Sequence, residues 1–182
     1  MSPDEIATQA TAAALRESFD RAFAEPPRPV SLAMEGFLAV RSGSSPYAIR
    51  LSEIASVHRA HTLTPFPGAD PWLLGMAGFR GTPAPVYDLR AALGHAGGPV
   101  PRWLVLVRAP SLVGFAFDHL DAQFRVAAAE ITPGTSREHS RPFLDGMVRS
   151  QHTTHFIIRI AAVLEAIAAR LHTRHTTEEA ES

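Results

Sequence analysis

The chain has 182 residues, enough for one domain of ordinary size or two small lobes sharing a core. With 17 basic and 18 acidic residues its formal net charge is −1, so no broad positive field exists to hold a polyanion, and nucleic acid is not an expected partner. Cysteine is absent and every basic residue is arginine, which excludes disulfides, thiolate metal sites, cysteine nucleophiles and lysine Schiff bases.

Residues 1–29 form the first segment. Ile6, Ala10, Ala13, Leu15, Phe19 and Phe23 make a loose apolar stripe at helical spacing. Pro26-Pro-Arg-Pro29 ends it, because proline cannot continue a helix. This piece is predicted to be a helical extension with a proline-rich linker. Asp4 and Glu5 stand where a secretion signal would need basic and then apolar residues. Apolar runs such as Trp103-Leu-Val-Leu-Val107 are far shorter than the roughly 20 residues of a membrane span. A cytoplasmic protein without membrane insertion is the expectation.

From Gly36 the texture changes to short strands. Phe37 to Arg41 and Tyr47 to Leu51 read as a hairpin across a Ser/Gly/Pro turn. Ile54 to Arg59 continues as a further apolar piece, and Pro65, Pro67, Gly68 and Pro71 mark an ordered loop. Trp72 to Met76 is apolar, Gly78-Phe-Arg-Gly81 is a tight turn, and Pro83 to Tyr87 is extended. Asp88 is placed to cap a short helix that Gly94 terminates. Trp103 to Arg108 and Leu112 to Phe117 form a second hairpin, and Asp118 to Val126 leads into a loop with Pro133 and Gly134. Phe143 to Arg149 and Thr154 to Ile160 form a third hairpin. Ile160, Val163, Leu164, Ile167 and Leu171 then define one face of an amphipathic helix over residues 160–172. Residues 173–182 are predicted to be a disordered acidic tail. Because no strand alternates with a long helix, small antiparallel barrels fit better than a parallel sheet.

Arg80 is the most suggestive side chain. Flanked by Gly78 and Gly81, it stands in the open on a turn, where its planar fork can meet a carboxylate or backbone carbonyls. The residues alone leave this balanced against a structural arginine paired with Asp88 or a helix end. Asp88 and Arg90 read as a helix cap and a solvated or internally paired arginine, and Asp118 as a strand end satisfying turn amides. Gly75, Gly78 and Gly81 do not form a phosphate cradle, since no βαβ unit follows. Nine histidines invite a metal reading, but His152-x-x-His155 and His172-x-x-His175 each lack an obvious third ligand. No cofactor, metal or catalytic residue is expected. Phe66, Trp72 and Phe79 cluster around the arginine turn and can supply an apolar centre for docking.

Gly75-Met-Ala-Gly-Phe-Arg-Gly81 followed by Pro85-Val-Tyr-Asp-Leu-Arg90 resembles the CheW-like chemotaxis coupling proteins, whose pattern is G-x-x-N-L-R-G and then P-[IV]-x-D-L-R. Leu63-Thr-Pro-Phe-Pro-Gly68, Leu112-Val-Gly-Phe-Ala-Phe-Asp118, Ile131-Thr-Pro133 and Phe143-Leu-Asp-Gly-Met147 extend the likeness over residues 35–172. The resemblance implies an all-β fold of two SH3-like five-stranded barrels that exchange strands, with a C-terminal helix. It implies a non-enzymatic scaffold coupling the cytoplasmic helix tip of a chemoreceptor to the regulatory domain of a CheA-type histidine kinase. Arg80 would contact the receptor in a groove between lobes, with Gly78, Phe79, Gly81 and His119 in the partner-binding surfaces. Two departures bear on partner identity: Gly78-Phe79 stands where the family has Asn-Leu, and His119 where it favours Gly or Glu. The alternatives are a divergent adaptor in a pathway controlling pili or gliding, and a histidine-dependent metal or small-molecule binder.

Overall fold

The computed structural model describes residues 33–59, 62–67, 70–97, 100–107, 111–134 and 142–180, with side chains as far as Thr173. The chain divides into two units, Met1–Leu32 and Ala33–Ser182. The first unit, and with it the predicted N-terminal helix and linker, lies outside the described residues.

Among the described residues there are eleven strands and two α-helices: β1 (Met34–Ser42), β2 (Ser45–Arg50), β3 (Ile54–Arg59), β4 (Leu73–Phe79), β5 (Thr82–Asp88), α1 (Leu89–Ala92), β6 (Trp103–Val107), β7 (Val113–Phe117), β8 (His119–Ala127), β9 (Thr132–Pro133), β10 (Leu144–Ser150), β11 (Thr153–Ile158) and α2 (Ile160–Ala180). They form two sheets, in the orders β8-β1-β2-β11-β10-β9 and β3-β6-β7-β5-β4. The first lobe is therefore made from both ends of the body, and the second from its middle. This is the strand exchange expected of paired SH3-like barrels. One barrel has a sixth, two-residue strand, β9; in the other, Thr64 does the same job as a single bridge to Met76.

The two lobes repeat one another. In each, two antiparallel pairings are followed by one parallel pairing, β5 with β7 and β11 with β2, and then a further antiparallel one. The repeat is legible residue by residue. Leu63-Thr-Pro65 and Trp72-Leu-Leu-Gly-Met76 correspond to Ile131-Thr-Pro133 and Phe143-Leu-Asp-Gly-Met147. The Asp88 amide donates to the Trp72 carbonyl at 2.7 Å, and the Arg159 amide to the Phe143 carbonyl at 2.8 Å. The rings of Trp72 and Phe143 themselves meet edge to face, 6.1 Å apart.

The main core lies between the lobes. Leu38, Val40 and Ile49 from one, Val105, Val107, Phe115 and Phe117 from the other, and Ile160, Val163 and Ile167 of α2 form a single buried cluster. Smaller clusters fill each barrel: Phe79, Val86, Leu104 and Leu106 in one, Phe37, Val126, Val148 and Ile157 in the other. Strands β6 and β7 are thus covered on both faces, which is why they read as continuous apolar runs without alternation. Each fully buried Val, Leu, Ile or Phe contributes roughly 1.5–3 kcal/mol relative to exposure, so separating the lobes would expose the larger share of that burial.

Two elements differ from expectation. β8, expected as a lead into a loop, is a nine-residue strand; Leu120, Ala122, Phe124 and Val126 alternate with polar residues, as a half-buried edge strand requires. Helix α2 continues to Ala180, past His172 and through most of the segment expected as a disordered tail, and no Gly or Pro stands there to break it. Leu171, assigned to its buried face, is 42% exposed. One residue earlier, Arg170 pins the helix: its Nε donates to Asp70 at 2.8 Å and its guanidinium lies 4.4 Å from the Trp72 ring centre.

Candidate partner-binding site

The hairpin between β4 and β5 turns through two residues, with Phe79 opposite Thr82. Arg80 has φ 51° and Gly81 φ 85°. Positive φ at both central positions is the turn that matches the twist of a tight hairpin. Glycine is the residue that takes such angles at no steric cost. Gly81 does carry one, but Gly78 is an ordinary exposed strand residue, and Arg80 itself takes the other. A non-glycine residue held there costs on the order of 1 kcal/mol. Arg80 is exposed, and among the described residues it makes no ion pair or hydrogen bond. Its candidate structural partner is engaged elsewhere: Asp88 caps α1 by accepting from the Arg90 amide at 2.9 Å, and accepts from Arg90 Nη2 at 3.1 Å.

Of the other expected site residues, Phe79 is buried beneath the turn, 7% exposed, with its ring 5.3 Å from that of His58. Gly78 and Gly81 are exposed, and a Cβ at either would meet nothing within 4 Å. The turn is therefore open on its outer side. His119 is exposed but begins β8, opposite Arg41 on the edge of the other lobe. The fold thus groups Gly78, Phe79, Arg80 and Gly81 in one lobe and sets His119 in the other. A cleft of about 470 Å³ does run between the lobes, lined by Tyr47, Leu93, His95, Phe143 and Leu144 among others. Arg80 is not among the residues that line it. The guanidinium is carried at a hairpin tip instead.

Arg90 and Asp118 belong to the architecture. Arg90 is buried between Asp88 and Asp118, and Asp118 also accepts from the Gly43 amide at 2.6 Å. Of the two settings the sequence leaves open for Arg90, solvated or internally paired, the structure shows the second; the cap at Asp88 and the turn-satisfying role of Asp118 hold. Asp121 is paired with Arg41 at 2.8 Å, so the acidic residues beside His119 are engaged in ion pairs. Among the described residues no group of three or more His, Asp or Glu could hold a metal ion.

The histidine that the sequence did not single out for its burial is His155, 4% exposed in β11. It borders a cleft of about 630 Å³ at the mouth of the first lobe's barrel, beside Arg41, Asp121, Ser150 and Thr153. Burial pushes its pKa below the ordinary value; the Asp121 charge and a hydrogen bond to the Tyr47 backbone oppose this, and Arg41 adds to it. It lies two residues before fully buried Ile157 on the same strand, and so shares its inward face.

The family model described as CheW-like domain matches residues 36–168. Protein FrzA of Myxococcus xanthus is 32% identical over 117 residues, covering 63% of this chain and 71% of that protein. Chemotaxis protein CheW of Rhizobium meliloti (strain 1021) is 26% identical over 116 residues, covering 61% and 75%. The scaffolding protein TtCheW of Thermoanaerobacter tengcongensis superimposes with a TM-score of 0.61 at 17% identity, over 68% of this chain and 88% of that one. At that identity the likeness speaks for the fold.

Proposed function

The chain belongs to the CheW-like domain family, and from that premise we propose that it is a non-enzymatic adaptor coupling a chemoreceptor to the regulatory domain of a CheA-type histidine kinase. The observation that carries this reading is Arg80: an exposed guanidinium, without an ion pair among the described residues, on a two-residue turn held at positive φ. Arginine is enriched at interface hot spots because its rigid fork makes directional bonds to carboxylates and carbonyls. Here it would meet the cytoplasmic helix tip of the receptor, with the barrel ends left for the kinase. Multivalency in an array makes modest individual affinities sufficient. The protein would act in the cytoplasm, reaching the membrane through its receptor partner.

Two departures favour a second reading, an adaptor in a divergent pathway such as one controlling pili or gliding. Gly78-Phe79 replaces the Asn-Leu of the family pattern beside the arginine, and His119 the usual Gly or Glu. Capture experiments with purified kinase regulatory domain and soluble receptor-tip fragments separate the two. Retention of chemotaxis-type partners supports the first reading. Failure to retain them, with retention of the paralogous receptor and kinase of another pathway, supports the second.

A further inference from the structure

The second lobe's barrel is closed at its Arg80 end by side chains. Strands β3 and β4 are the two edges of the five-stranded sheet and share no ladder. Yet the His58 ring of β3 lies 5.3 Å from the Phe79 ring of β4, tilted at 49°. His58 Nε2 is in turn 2.8 Å from Ser56 Oγ. In the other lobe a ring contact also leaves an edge strand, but it ends on an interior one: Phe124 of β8 lies 5.5 Å from the His155 ring of β11.

We propose that His58 is a positioning residue for Arg80, acting through Phe79. A turn in a sparsely populated conformation persists only where its surroundings over-determine it. Phe79 is the last strand residue before Arg80, and Thr82 opposite it is the first after Gly81. Anchoring the Phe79 ring across the seam therefore fixes one foot of the turn and the direction in which the guanidinium projects. This also accounts for the aromatic residue where the family pattern has leucine: a leucine would bury apolar area but lose the ring contact to His58. His58 and Phe79 together then tune which partner the turn accepts. The inference rests on the reading that Arg80 meets a partner.

The test uses the full chain and a soluble receptor-tip fragment that binds it, titrated calorimetrically against His58→Ala, His58→Phe, Arg80→Ala and the double variant His58→Ala/Arg80→Ala. The position of the Gly81 amide resonance reports on the turn without any partner. His58→Ala is expected to move that resonance and weaken binding on the order of tenfold. His58→Phe, which keeps a ring at the seam, restores both. In the Arg80→Ala background His58→Ala costs nothing further, an outcome a merely structural role would not produce. If His58→Ala does not fold, Phe79→Leu carries the same expectations. Normal binding by Arg80→Ala would overturn the partner reading and with it the binding role of His58. Weak binding by Arg80→Ala, but normal binding and an unmoved Gly81 resonance in His58→Ala, would overturn the positioning role alone.

Discussion

Arg90 Nη1 donates to Asp118 Oδ1 at 3.2 Å, and the two side chains are 8% and 5% exposed. The contact joins the helix that follows β5 in one lobe to the strand end from which β8 departs to the other. The second oxygen of Asp118 accepts the Gly43 amide in the first lobe's opening hairpin. A single buried carboxylate thus ties together three chain segments from both barrels. Replacing Arg90 by alanine leaves Asp88 and Asp118 facing one another without their shared cation. Removing one partner of a buried pair costs about 3–5 kcal/mol. Urea unfolding of Arg90→Ala is expected to show a loss of that size in one cooperative transition, because the main core is common to both lobes. A loss below about 1 kcal/mol would mean the pair is effectively solvated.

Arg80 gives the opposite expectation. Its side chain touches no charged partner among the described residues, and its backbone conformation carries strain that alanine would share. Arg80→Ala is therefore expected to leave Tm almost unchanged while weakening receptor binding by about 1–3 kcal/mol. Paired thermal melts and binding titrations check this. A lowered Tm with unaltered affinity would return the arginine to a structural role.

These two arginines show what could be read from the sequence. Arg90 follows Asp88 in a cap-and-helix context, so local spacing gave it a structural role; whether it is solvated or buried was not legible, because its second partner, Asp118, is 28 residues away. The exposure of Arg80 was also legible, since two glycines leave it uncovered. Its own positive φ was not, because only the pairing of Phe79 with Thr82 places the turn on Arg80 and Gly81. Strand β8 was misread because turn-like Asp118 precedes it and His119 opens it, although Leu120, Ala122, Phe124 and Val126 alternate cleanly. The internal repeat was present in the sequence as two Thr-Pro pairs, each followed by an aromatic-Leu-x-Gly-Met run. The unequal loop lengths between them hide the period.

The repeat carries a prediction of its own. Gly75 and Gly146 take φ 146° and 144°, and a Cβ at either would fall on a backbone carbonyl oxygen, of Thr64 and Thr132 respectively. Both glycines sit at register shifts, where β4 and β10 bulge toward the segment that bridges them. Backbone cannot give way as a flexible side chain can. Gly75→Ala and Gly146→Ala should each destabilise by about 2–3 kcal/mol, by similar amounts although they lie in different lobes. Gly81→Ala, where nothing lies within 4 Å, isolates the cost of positive φ alone and should lose only about 1 kcal/mol. Chemical denaturation of the three variants side by side tests this; equal losses at Gly75 and Gly81 would remove the steric argument.

Acid should act on the fold through His155. Burial among Phe124 and the barrel lining favours the neutral ring, so its folded-state pKa lies below the ordinary value of 6.5. The unfolded chain therefore takes up a proton first as pH falls, and each step downward favours unfolding. Stability from this group is complete above about pH 7 and is lost as pH drops through 6.5 toward the folded value. The charges facing the ring are Asp121 of β8, which opposes the shift, and Arg41 of β1, which adds to it. Glu53 works in the other direction: burial raises its pKa, the Arg50 charge offsetting part of this, so acid relieves a cost there. That contribution is common to the native protein and a His155→Gln variant and cancels in their difference. Between about pH 7 and about pH 5, the Tm of the native protein is expected to fall more steeply than that of His155→Gln. Parallel curves would mean that His155 meets enough water in the barrel mouth to titrate as a free histidine.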